Sequence, residues 1–126
     1  MNRGAFVAII KNDQVLLVRS KTNLNLVDSW SFPRGVVENG ESLKAGAHRE
    51  ALEETGVICR VTDLLAETNN HDSDIRVSIF KGEYMSGTVV KDDVEIAEAG
   101  WFKIADALEL PLAYNSKDVL LALAAQ

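Results

Sequence analysis

Glu50, Glu53 and Glu54 are the residues whose types and spacing most plainly allow chemistry. On a helix from Ser42 to Thr55, at 3.6 residues per turn, they fall at i, i+3 and i+4, so three carboxylates share one face within a turn. Gly46 and Ala47 sit a turn earlier on that face and leave room beside it. Like charges at these spacings cost about 0.2–0.5 kcal/mol per pair. Carboxylates in a last turn also meet the negative end of the helix dipole, at about 0.3–1 kcal/mol each. Arg49 relieves part of this, although a base placed N-terminal to Glu53 is the poorer orientation. A divalent cation reverses the sign of the whole cluster. With only carboxylate and nearby carbonyl oxygens on offer, the donors point to Mg2+ or Mn2+ over zinc. Acidic helix ends are commonly just solvated, so the surroundings must decide.

The elements that position this turn are legible in outline. Ala5 to Ile10 and Val15 to Val18 read as two strands of a hairpin, the second buried on both faces. Ser20 to Ser29 is a polar loop of a length that is often functional. Trp30 to Gly35 bends into a short strand at Val36 to Glu38, and Asn39-Gly40 is a turn signal. Ser42 is the expected N-cap and Gly56 the residue past the helix end. Leu43, Ala47 and Ala51 form an apolar stripe that packs the helix. Strands are expected at Val57 to Val61 and Ile75 to Lys81, separated by the polar stretch Thr68 to Asp74. A turn and short strand follow at Gly87 to Asp93, then a last strand at Ile96 to Phe102. Asn115 or Ser116 caps a final helix from Lys117 to Ala125. Strands, helix, strands, helix suggest a mixed sheet with helices on its faces.

At fixed spacing, Gly35, Glu41, Arg49, Glu50, Glu53, Glu54 and Gly56 match Gly-x5-Glu-x7-Arg-Glu-U-x-Glu-Glu-x-Gly-U, with U a bulky aliphatic. Seven identities would coincide by chance about once in 10⁸ windows, at roughly 7% usage each. The pattern is the Nudix box, and the chain resembles Nudix hydrolases. Val57 fits the last U position, whereas Ala51 is smaller than the pattern asks. The likeness extends to the two leading strands, the Trp30-x-x-Pro33 approach and the segment Glu95 to Phe102. It implies an α/β fold, an α/β/α sandwich with a mixed β-sheet, over 1–126 as a single domain. It implies divalent-metal-dependent hydrolysis of a nucleoside diphosphate linked to another moiety. By resemblance, Glu50, Glu53 and Glu54 bind metal and supply the base, Arg49 orients them and the Gly35 carbonyl adds a ligand. Glu41 is then a peripheral metal or water-holding residue, and Mg2+ (or Mn2+) is the implied cofactor.

That chemistry is coherent. A diphosphate repels hydroxide; metal ions neutralise it, acidify a bound water and hold it in line with phosphorus. Glu50 or a loop acid accepts the proton, and the sequence leaves that choice open. Three glutamates on one turn cannot flank a bond from two sides as glycosidase acids do, about 5 Å or more apart. By the same resemblance, Glu95 is the loop acid expected to join the metal site, with Asp92, Asp93 and Glu98 as competitors. Arg34 and Arg19 are candidate phosphate contacts, and Trp30 and Phe32 candidate stacking residues for a base. Trp101 reads as core, His48 as an exposed residue on the helix flank, and His71 as part of a polar turn. The default substrate is an NTP, dNTP or modified nucleotide. A dinucleoside polyphosphate or capped polyphosphate is the alternative, followed by a non-catalytic nucleotide-sensing module and an acidic docking face.

Composition narrows the partners. In 126 residues, 13 basic against 19 acidic give a net charge of −6, which disfavours a broad nucleic-acid surface. Apolar residues at 47% and charged residues at 25% are ordinary globular usage and argue against disorder. No apolar run reaches bilayer length, so no membrane association is expected, and Ala5 to Ile10 reads as a strand and not a leader. Cys59, the lone cysteine, excludes an internal disulfide and suits a cytoplasmic setting as a buried small hydrophobe. Pairing through sheets or termini is common among such proteins, which makes a homodimer an open expectation.

Overall fold

The computed structural model describes residues 2–21, 28–70 and 74–126. Two strands open it, β1 (Asn2–Lys11) and β2 (Gln14–Ser20), joined through Asn12 and Asp13. Asn12 takes a left-handed conformation, which asparagine tolerates better than most residues. Burial is unbroken from Gly4 to Ile9 and from Val15 to Val18. Because strand side chains alternate, Ala5, Val7, Ile9 and Leu16 enter one core, while Phe6, Ala8, Val15 and Leu17 enter another. Burial on both faces explains why these strands read as continuous apolar runs.

Five further strands extend the sheet: β3 (Trp30–Ser31), β4 (Arg34–Val36), β5 (Ile58–Asn70), β6 (Ile75–Ser86) and β7 (Ile96–Lys103). The order is β3-β2-β1-β6-β5, with β4 on β1 and β7 on β2. β1 and β6 run parallel and the other pairs antiparallel, so the sheet is mixed as expected. Helix α1 (Leu43–Thr55) contributes Ala47 and Ala51 to the first core. Helices α2 (Ile104–Ala107) and α3 (Ser116–Ala124) contribute Ala107, Val119, Leu120 and Leu123 to the second. The result is the expected α/β/α sandwich. One edge of β1 is shared, with β4 taking Gly4 to Phe6 and β2 taking Ile10 and Lys11. That division brings β4 in beside α1.

Several boundaries differ from expectation. The short strand lies at Arg34–Val36 and not at Val36 to Glu38, because its ladder is set by Gly4, Ala5 and Phe6. β5 runs through the supposed polar turn to Asn70, since β6 pairs with it all the way to Ile75. No strand forms at Gly87 to Asp93. Its N–H groups answer helix carbonyls instead, Val90 donating to Thr55 (2.8 Å) and Asp92 to Glu54 (3.0 Å). Asn115 occupies the N-cap position of α3 without a side-chain capping bond. Residues 22–27 of the long loop and His71 lie outside the described residues. Among the described residues, no helix is long and apolar enough to cross a membrane.

Candidate active site

Local chemistry fixes α1 at both ends. Ser42 Oγ accepts from the Ala45 N–H at 3.1 Å, and Gly56 closes the helix at φ 75° with its N–H on the Leu52 carbonyl. Full burial of Ala47 and Ala51 sets the helix rotation, so the small residue at 51 lets α1 lie close to the sheet. The room left by Gly46 is taken by the chain itself. A Cβ there would come to 3.0 Å from Val37 Cγ2 and 3.1 Å from Glu41 Oε1.

Arg49 organises the turn. Its Nε and Nη2 donate to the Glu41 carboxylate at 2.8 and 3.1 Å, and Nη2 also reaches the Val36 carbonyl. Its Nη1 donates to Glu50 Oε1 at 2.9 Å and to Glu53 Oε2 at 3.2 Å. Glu41 also accepts the Glu38 N–H, and Arg49 holds its carboxyl below the usual carboxylate range. Glu41 therefore faces Arg49 and is not part of the cavity lining described below. Arg49 in turn is held more firmly protonated than an ordinary arginine by Glu41 and Glu50.

Glu54 is 4% exposed, and its Oε1 accepts the backbone N–H of Arg34 at 3.0 Å. Burial, with Glu50 and Glu95 nearby, pushes its carboxyl up to about 7 against the opposing pull of that N–H. Burial likewise raises Glu50, helped by Glu53 and Glu95 and resisted by Arg49. Gly35 lies opposite Ala5 in the β4 ladder, with Glu50 packed directly on its Cα. A Cβ at Gly35 would overlap Cγ, Cδ and Oε1 of Glu50.

These groups open onto a cavity of about 940 Å³. Glu50, Glu53, Glu54, Asp92, Glu95, Arg34 and Gly35 all line it. Of the loop acids, Asp92 and Glu95 reach it, whereas Asp93 is held by Lys91 at 2.6 Å and Glu98 by Arg19 at 2.6 Å. Arg19 is committed to Glu98 and to Asp28 (3.6 Å) and lies outside the lining. Phe32 is fully buried in the second core, so its expected stacking role is corrected: no face is available. Trp30 packs edge-on against Phe102 at 5.1 Å and is also outside the lining. Trp101 is partly buried, with its edge against Tyr84, and His48 is half-buried, not exposed.

The sequence reading missed Tyr114, Phe6, Thr68, Asn69 and Asn115, which line the same cavity. Only the scarcity of rings, eight in the whole chain, hinted that Tyr114 had a purpose.

The chain belongs to the Nudix family: the NUDIX domain model matches residues 1–123. It is 33% identical over 123 residues to Nudix hydrolase 6 of Arabidopsis thaliana, covering 93% of this chain and 43% of that protein. It is 32% identical over 105 residues to the NAD-capped RNA hydrolase NudC of Citrobacter koseri, covering 83% and 40%. The chain thus spans about two fifths of the length of these curated relatives. In fold it resembles a MutT NUDIX hydrolase of Burkholderia pseudomallei, with a TM-score of 0.81, 24% identity and 95% of each chain covered.

Nudix hydrolases generally need divalent metal ions. The donor set here fits such an ion chemically: it is oxygen-only and rich in carboxylates, with Glu50, Glu53, Glu54, Asp92 and Glu95 lining one cavity. Among the described residues, no three acids are already drawn together as a closed cage. Glu50 and Glu53 instead lean on Arg49.

Proposed function

We propose that this chain hydrolyses the diphosphate linkage of nucleoside diphosphate derivatives with a divalent cation, NTPs, dNTPs or modified nucleotides being the first class to test. The observation that carries the reading is a turn of three glutamates, one of them buried, opening with Asp92 and Glu95 onto a 940 Å³ cavity. Such a concentration of like charge is costly unless a cation neutralises it.

Glu50, Glu53 and Glu54, with the Gly35 carbonyl and Glu95, would hold Mg2+ or Mn2+. The bound cation would supply charge neutralisation at the diphosphate and a more acidic water. Arg49 fixes the rotamers of Glu50 and Glu53, and Glu41 in turn fixes Arg49. The β4 backbone anchors Glu54 through Arg34, whose side chain is the phosphate contact in this scheme. The proton of the attacking water goes to Glu50 or Glu95, and Glu50→Gln and Glu95→Gln separate the two. Family membership supports the reaction class.

The test is a panel of nucleotides with Mg2+ and Mn2+, scoring phosphate products, run beside Glu54→Gln. Turnover by the wild type, lost in a variant that still melts cooperatively, is expected. Wild-type activity in Glu54→Gln would overturn the assignment.

A further inference from the structure

The cavity wall carries a second constellation, away from the acidic turn in sequence. Arg34 is the one lysine or arginine among the described residues that line the cavity. Its backbone N–H is committed to Glu54, while its guanidinium reaches the other way. Nη2 donates to the Tyr114 hydroxyl at 3.0 Å, and the guanidinium carbon lies 4.9 Å from the centre of that ring. Phe6, 4% exposed, supports Tyr114 edge-on at 5.2 Å and 70°.

Tyr114 itself is held at φ 58°. A left-handed backbone costs a non-glycine residue on the order of 1–3 kcal/mol and persists where surrounding structure enforces it. The residue nonetheless stays 44% exposed, in a chain with few rings. Tyr114 is thus a propped, half-exposed ring bordering the carboxylate cavity, and Arg34 joins it to Glu54.

We propose that the planar base of a nucleotide ligand stacks on Tyr114, with Arg34 meeting the phosphate chain between that ring and the carboxylate turn. This deepens the diphosphate reading and rests on it. Base stacking on an aromatic ring tolerates any base, since each has a π-face, and alanine substitution typically costs about 5- to 100-fold in binding. The guanidinium has five N–H donors in a planar fork, so the bond to Tyr114 leaves donors for phosphate oxygens.

Calorimetry with Mg2+ separates the two contacts, using α,β-methylene-ATP as the nucleotide and inorganic pyrophosphate as the baseless control. Tyr114→Asn removes the ring while accepting the left-handed backbone, and Tyr114→Phe keeps the ring without the hydroxyl. Tyr114→Asn is expected to weaken the nucleotide analogue about 10-fold or more and pyrophosphate less than about 2-fold. Tyr114→Phe should stay within about 3-fold of wild type for the analogue, whereas Arg34→Gln weakens both ligands. Equal losses for both ligands in Tyr114→Asn, no loss for either, or no binding of the analogue by the wild type overturns the proposal. Since the methylene bridge blocks hydrolysis at the α,β linkage, a wild type that binds the analogue through Tyr114 but hydrolyses no nucleotide would refute the enzymatic reading and leave the stacking site standing.

Discussion

Replacing Gly35 by alanine should separate catalysis from folding. The backbone allows it, since Gly35 is a strand residue outside the left-handed region. The added methyl would overlap the Glu50 carboxyl and its Cγ. Non-bonded carbons keep about 3.5–4.0 Å apart, so the carboxylate must swing away by more than about 1 Å. That movement breaks the 2.9 Å bond from Arg49, a charge-assisted contact worth about 1.5–3 kcal/mol when desolvated and less at a partly exposed site. Alanine in place of glycine returns about 0.4–1 kcal/mol through the unfolded chain. The net loss, near 1 kcal/mol, should lower the melting temperature by roughly 3–6 °C for a domain of this size.

Catalysis has no such compensation. In the proposed reaction Glu50 holds the cation or takes the proton, and a misplacement of about 1 Å costs on the order of 100-fold, so kcat in Gly35→Ala should fall at least that far. Phosphate release across a Mg2+ titration measures it, with circular dichroism melts as the fold control. Glu50→Asp shortens the side chain by one methylene and removes part of the overlap. The Gly35→Ala/Glu50→Asp double variant should therefore be no slower than the worse single variant. A Gly35→Ala protein within about threefold of wild-type kcat, or fully additive losses in the double variant, would refute the claim that Gly35 exists to seat Glu50.

Three other outcomes follow from the same geometry. Arg49→Ala frees Glu41, Glu50 and Glu53 together and should lower kcat by about 100-fold or more while raising the Mg2+ concentration needed for half-activity; a kinetic titration checks both. Glu54 is protonated in the folded and unfolded chain alike well below pH 4.5. As pH rises toward 7 the unfolded chain ionises first, so the metal-free fold loses on the order of 3 kcal/mol across that window. In chelator, Glu54→Gln should therefore melt several degrees above wild type at pH 8 and level with it near pH 4.5; no gain at pH 8 contradicts the burial argument. Burial pushes the Cys59 thiol up to about 11, so Ellman's reagent should leave the native protein unlabelled and react after denaturation.

What was legible beforehand depended on how local the cause was. The strands at Ala5 to Ile10 and Val15 to Val18 announced two-sided burial by their unbroken apolar runs. Helix α1 announced itself through Ser42, Gly56 and the stripe at Ala47 and Ala51. The acidic turn lies on that helix, so its geometry followed from the helical period alone. Phe32 failed because a ring beside a proline in a loop carries no sign of which way it faces. The segment Gly87 to Asp93 failed because its hydrogen-bond partners are carbonyls of Thr55 and Glu54, over thirty residues away. Tyr114 was illegible for a related reason: Phe6 and Arg34, which define its surroundings, lie on β1 and β4.

The long-range bonds also say why the acids stay in register. Glu54 is a junction of three segments: its carboxylate takes the N–H of Arg34 on β4, and its carbonyl takes the N–H of Asp92 in the loop that carries Glu95. Helix carbonyls at a C-terminus otherwise need water or a capping group, so the loop stabilises the helix end by the same bonds that bring Asp92 and Glu95 to the cavity. Holding carboxylates by backbone contacts leaves less to the rotamers of flexible glutamates, and Arg49 constrains Glu50 and Glu53 in turn. The repulsion that makes the turn unfavourable in isolation is thereby borne by the fold, through Arg49 and the backbone partners of Glu54.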